Sequence, residues 1–205
     1  VEAFGQLFVG INAKREVPVH TFGATLPLQG KVALGASPLF RVAATEAGNL
    51  RGAVYDTYTG SGWKVTDAAL VPLNGVTVQA AEQGTQKTKS EVRRPVTVQV
   101  EVVGDGAPDR RLLTVGDPLA ATQPGRELVD PAANAIGVIP NDPASVGRSY
   151  TTVGSVSAAA VSTLLAAGTS YPQVIVDTYT TTPATMPPEV AGLAKQVAGN
   201  ARTPY

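Results

Sequence analysis

The chain has 205 residues, with 16 basic and 16 acidic side chains and a formal net charge of zero. That balance excludes the basic footprint of a nucleic-acid binder and any strong attraction to an anionic membrane surface. The chain contains no cysteine, which excludes disulfides, thiolate zinc sites and a cysteine nucleophile. Its length suits one domain or one and a half. Only 16% of residues are charged, and there are 21 Gly and 16 Pro among abundant Val and Thr. Branched β-carbons favour strands, and Gly and Pro mark turns, so the composition predicts a β-rich globular domain with many short connections. No apolar run approaches the ~20 residues of a membrane-spanning helix. Val1 and Glu2 do not start a signal peptide. With no initial Met and a final "NARTPY", both ends are expected to be cuts in a longer protein, leaving any targeting or membrane segment outside this chain.

In chain order, residues 1–30 predict short irregular strands, rich in turn residues. "PLFRVAATEAG", Pro38 to Gly48, predicts a strand and a turn. Leu50 to Tyr58 predicts a strand whose partner is Trp63 to Thr66. Thr59, Gly60, Ser61 and Gly62 form the loop between them, where glycine reaches positive φ without steric cost. The clearest strand is "VTVQVEVV", Val96 to Val103. Its valines alternate with Thr97, Gln99 and Glu101, so period two separates an apolar face from a polar one. "GVTVQA" repeats this on a smaller scale, and "RRLLTV", "NAIGVI" and "SYTTVGSV" are further strand candidates. "GDGAPD", "GDPLAATQPG" and "NDPAS" carry turn chemistry and are expected to be linkers. "EQGTQKTKSEVRR" predicts an exposed loop or hairpin tip.

After Ser157 the pattern becomes helical. "SAAAVSTLLAAG" predicts a helix capped by Ser and stopped at Gly168. "YPQVIVDTYTTTP" reads as strand by its β-branched content and as a short helix by its position; helix is preferred. "MPPEVAGLAKQVAGN" predicts a helix with Pro188 and Glu189 in the first turn and Lys195 near the last. Val190, Leu193, Ala194 and Val197 fall at helical spacing. The expected organisation is a β-rich domain over residues 1–155 and a helical segment over residues 156–205. The expected fold is mainly β, an antiparallel β-sandwich or partly open barrel of about eight strands with two or three short C-terminal helices.

Signals for chemistry are sparse. The lone His20 lacks a cysteine or an acid pair and reads as a turn or surface residue. Asp105 and Asp109 in "VGDGAPD" could serve calcium, but the ligand set and closing Glu of the known calcium loop are missing; a solvated turn is the simpler reading. No serine sits in a nucleophile-elbow pattern. Asp56 reads as a hydrogen-bond acceptor for the turn that follows it. "LRGAVYDTYTGSGW", Leu50 to Trp63, gathers aromatics in a chain poor in them. Tyr55, Tyr58 and Trp63 would make a sugar- or peptide-binding face if they lay together. On one continuous strand, Tyr55 and Tyr58 point to opposite faces. Trp63 is then expected to pack its indole on the hairpin base, so the structural reading is preferred.

That phrase and "FGATLPLQGKVALGASPLFRV" resemble the extracytoplasmic segment of bacterial membrane-anchored transglutaminase-like proteins. The residues that carry the resemblance are Leu50, Arg51, Gly52, Tyr55, Asp56, Gly60, Gly62 and Trp63. They are joined by Gly168, Thr169, Tyr171 and Pro172 in "GTSYP", and by "MPPEVAGLAKQVAGNARTPY". The likeness runs from about Phe22 to the end. The phrase after Tyr171 and Pro172 departs from it, lacking the charged and large helix formers usual there. The resemblance implies a β-rich segment lying between membrane helices and a papain-like catalytic domain with a Cys-His-Asp triad. No triad residue falls in this chain, which has no cysteine. The expected function is therefore that of a non-catalytic scaffold or substrate-presenting domain, without cofactor or metal. Its expected partners are the parent's own catalytic domain and a protein or cell-wall substrate. It would meet the membrane only through the parent's helices. The alternative is a carbohydrate- or peptidoglycan-binding β-sandwich.

Overall fold

Val96, Val98, Val100 and Val102 are each at most 1% exposed, while Thr97 and Gln99 between them face solvent. This alternation makes β7, Arg93–Val102, one wall of the core. A computed structural model describes residues 25–27, 37–65, 68–77, 92–105 and 110–203. Before β7 come β1 (Thr25–Pro27), β2 (Phe40–Ala44), β3 (Leu50–Arg51), β4 (Thr57–Tyr58), β5 (Gly62–Lys64) and β6 (Ala69–Pro72). After it come β8 (Thr114–Val115), β9 (Asp117–Ala121), β10 (Gly125–Val129), β11 (Ala135–Pro140) and β12 (Ser149–Ser157). Three helices follow: α1 (Val161–Leu165), α2 (Gln173–Tyr179) and α3 (Pro188–Ala198).

The strands form antiparallel sheets in the orders β2-β7-β12-β9, β11-β10-β6, β1-β5-β4 and β3-β8. Among the described residues no sheet closes on itself, and the mainly β expectation holds as several open antiparallel sheets followed by three helices. The apolar face of β7 packs with Leu112, Leu113, Val115, Ala121, Ala135, Val138, Ala144 and Tyr150. Burying these side chains supplies most of the driving force, at about 25 cal/mol per Å² of apolar surface. The hydroxyls of Tyr150 and Thr152 in this core are paired. Leu113 N donates to Tyr150 Oη at 3.1 Å, and Thr152 Oγ1 donates to Leu113 O at 2.8 Å. Two side chains of β12 thus satisfy both backbone groups of Leu113, which an apolar interior requires.

β8 and β9 meet at Gly116, where φ is +75°, and cross β12 at Gly154. A β-carbon on Gly154 would lie 1.9 Å from Val115 O, and one on Gly116 would lie 2.1 Å from Ser155 O. Backbone therefore touches backbone here, and only glycine fits.

Several expectations need correction. "GDPLAATQPG" is not merely a linker: Asp117–Ala121 is an edge strand on β12. Long-range pairing overrides the local turn chemistry, and an edge tolerates Pro118. Leu50 to Tyr58 is not one strand, because residues 52–56 leave the ladder between β3 and β4. The first helix does not start at Ser157, whose backbone pairs with Arg93 at the end of β12. α1 begins after Ala160 with no side-chain cap. The segment Gln173–Tyr179 is helical, as preferred. Residues 78–80 of "GVTVQA" and most of "EQGTQKTKSEVRR" lie outside the described residues.

Candidate functional site

The phrase Leu50 to Trp63 is divided among two sheets and the crossing between them. At its start, Leu50 and Arg51 pair with Val115 and Thr114. The Arg51 guanidinium donates to Asp117 Oδ1 at 2.5 Å, and Arg93 donates to the other oxygen of the same carboxylate. Arg93 Nε also donates to Ser155 Oγ at 2.7 Å. One acid thus bridges two arginines from separate sheets and fixes β3 against β7, β9 and β12. The groups are about one-quarter to one-third exposed. At that exposure, charge-assisted geometry sets position more than it adds stability.

Gly52 begins the irregular crossing and is partly buried. Burial pushes the Arg111 guanidinium down from its ordinary value, and Tyr55 acts on it in the opposite direction. Asp56 donates its backbone N–H to Lys64 O at 3.2 Å, and its Oδ1 accepts from Thr57 Oγ1 at 3.2 Å. The sequence predicts acceptance from the backbone of the following turn; the Oδ1 contact is instead with a side-chain hydroxyl of β4.

The hairpin tip is tight. Thr59 N and Oγ1 both donate to Gly62 O, at 2.9 and 3.0 Å. Gly60 sits at φ +92°, the left-handed value required at the first central position of one favoured hairpin turn. Tyr58 Oη donates back to Gly60 O at 3.0 Å. Tyr58 stands opposite Trp63 in register, with ring centroids 5.2 Å apart and planes tilted by 50°. Such a tilted pair is a favourable aromatic arrangement. Trp63 remains 39% exposed, so the indole is not buried in the hairpin base as expected. Tyr55 and Tyr58 do not share one strand, because Tyr55 lies in the irregular crossing. The aromatic contact is the cross-strand pair Tyr58–Trp63, which pairing register could have indicated.

A polar cluster that the sequence reading missed lies next to this phrase. Asp130 is 4% exposed and holds the turn between β10 and β11. Its Oδ1 accepts from Asn134 N at 2.8 Å, and Oδ2 accepts from Asn134 Nδ2 at 3.2 Å and from the Tyr179 hydroxyl. Tyr179 belongs to α2, so this contact ties the helical segment to the β core. Burial first, and Asp130 second, push the Tyr179 phenol above its ordinary value; the Asp56 charge acts in the same direction. Near the hairpin tip, a β-carbon on Gly60 would lie 3.2 Å from Thr185 Oγ1. The chain between α2 and α3 therefore passes close to the hairpin tip at Gly60. The "VDPAAN" turn was the available signal, since an Asp before a Pro and an Asn commonly organises a turn.

His20 and Asp109 lie outside the described residues, and Asp105 is exposed. Among the described residues no group of three His, Cys, Asp or Glu side chains could hold a metal ion. No described helix is long and apolar enough to cross a membrane. No protein-family model, curated protein or solved structure matches this chain.

Proposed function

We propose that this chain is a non-catalytic extracytoplasmic scaffold, or substrate-presenting module, of a bacterial membrane-anchored transglutaminase-like protein. The observation that carries this reading is the apolar stripe of α3. Val190, Leu193 and Val197 are 48%, 60% and 78% exposed, and none of the three helices buries a residue. An amphipathic helix normally buries such a stripe against a partner. The partner in this reading is the parent's own catalytic domain, and the sequence resemblance supports that choice. The β core meanwhile supplies a rigid mount, and the Tyr179–Asp130 contact joins the helical segment to it.

Titrating the chain with a transglutaminase-like catalytic domain tests this. Binding should weaken about tenfold or more in Leu193→Asp and Val197→Asp, since each places a charge in an apolar contact. The chain alone should neither form nor cleave isopeptide bonds on casein; activity in that assay would overturn the proposal.

A second reading rests on the exposed indole of Trp63 beside Tyr58. An aromatic face of this kind can stack on a sugar ring, which points to glycan or peptidoglycan binding. In a glycan pull-down, Trp63→Ala should abolish capture while leaving the fold intact. Equal capture by both proteins would eliminate this reading.

A further inference from the structure

A cleft of about 460 Å³ lies away from the hairpin, between the turn after β9 and the loop joining β11 to β12. It is lined by Gln123, Pro124, Asp142, Pro143, Ser145 and Arg148. Its volume falls within the range of small-molecule sites. We propose that it binds a small zwitterion: a free amino acid or a short unblocked peptide, with an ammonium group at Asp142 and a carboxylate at Arg148.

Three observations support this. The first is charge. Asp142 and Arg148, both at exposed positions, line the same cleft, and among the described residues neither forms an ion pair with the other or with any further group. A purely anionic ligand would face Asp142, and a purely cationic one would face Arg148. A ligand with both charges complements both, and guanidinium is well shaped for carboxylate.

The second observation is an unused polar atom. Gln123 Oε1 is sealed from solvent and has no hydrogen-bond partner among the described residues. Buried acceptors are nearly always paired. The terminal torsion of Gln is broad, and a turn of the amide would be needed to bring this oxygen out to an ammonium group in the cleft. Ser145 adds a hydroxyl that can donate or accept.

The third is rigidity. Asn141 N donates to Pro124 O at 2.9 Å, joining the two rims. Arg148 N donates to Ser145 O at 3.0 Å, and Gly147 N donates to Val102 O at 2.8 Å. Ala144, only 4% exposed, plugs the loop into the core. A cleft held this firmly loses little entropy when it binds. Among the described residues no aromatic side chain lines the cleft, which disfavours a sugar.

The test is a titration of the ¹⁵N-labelled full chain followed by amide chemical shifts. The probes are L-alanine, L-alanyl-L-alanine, N-acetyl-L-alanine and L-alaninamide. At least one of the first two should saturably shift the amides of Gln123, Ser145 and Arg148. The tighter of the two identifies the source as free amino acid or peptide. Blocking either end should weaken binding about tenfold or more, as expected for loss of a charged hydrogen bond. Arg148→Met and Asp142→Asn should lose the response, while Arg126→Gln on the exposed face of β10 should keep it. The same spectra report whether each variant is folded. The proposal is overturned if neither zwitterion gives a saturable shift at these amides. It is equally overturned if the blocked probes bind as well as the zwitterions, or if the cleft variants bind like the parent chain.

Discussion

At the scale of single residues, the tightest constraint is Gly154. Its absent β-carbon lets Val115 O approach to a distance no side chain permits. The contact is with backbone, so no rotamer change relieves it. Gly154→Ala should therefore destabilise the fold by about 3 kcal/mol or more, the upper range for an overpacked interior. A urea titration comparing midpoints checks this. A change below about 0.5 kcal/mol, the scale of ordinary surface substitutions, would mean that β8 and β12 do not cross this closely. The glycines of "GSG" act differently. Gly60 is needed for its positive φ, not for lack of space, since its nearest potential neighbour is the side-chain oxygen of Thr185.

At the scale of elements, α2 depends on Tyr179. The helix spans only seven residues and buries none of them. A helix this short is marginal by itself, so tertiary contacts hold it. Replacing Tyr179 with Phe removes the hydroxyl donated to Asp130. Amide hydrogen exchange over residues 173–179 should then accelerate, while exchange in β7 and β12 stays unchanged. Equal protection in the variant would show that the hydroxyl does not anchor α2. The same contact predicts a pH dependence. The Tyr179 phenol is raised above its ordinary 10.0, chiefly because its hydroxyl end is partly desolvated although the residue as a whole is 37% exposed. The docked state therefore holds more protons than the released state above that value. The contribution is fully present below pH 10.0 and declines as the pH rises further. Loss of α2 protection in alkaline buffer, absent from the Tyr179→Phe variant, is the expected signature.

At the scale of the whole molecule, the β core and the helical segment have different tasks. The buried apolar cluster is drawn from strands and the loops between them, and no helix contributes to it. The charged variants proposed for α3 should therefore leave thermal stability within about 0.5 kcal/mol of the parent chain, because exposed positions rarely cost more. Calorimetry on Leu193→Asp and Val197→Asp makes this check. A large drop in Tm would place α3 in the fold rather than on its surface, and would remove the main support for a docking role. The cleft proposed for a zwitterion is lined by loops between strands, without a helix residue, and stands independently of that role.

The sequence by itself determined the β character, the buried face of β7 and the extent of α3. Each rests on local periodicity: alternate valines from Val96 to Val102, and Val190, Leu193 and Val197 after a proline start. It also indicated the hairpin tip, because Gly60 carries its own turn chemistry. Only the tertiary structure decided the rest. It made an edge strand of Asp117–Ala121 and divided Leu50 to Tyr58 between two sheets. It also brought Asp130 to Tyr179, and Asp142 to the same cleft as Gln123 and Arg148. These features join residues distant in sequence, or depend on which backbone a segment meets. Period and propensity describe a segment's own preference, and long-range pairing can override that preference without leaving a local trace.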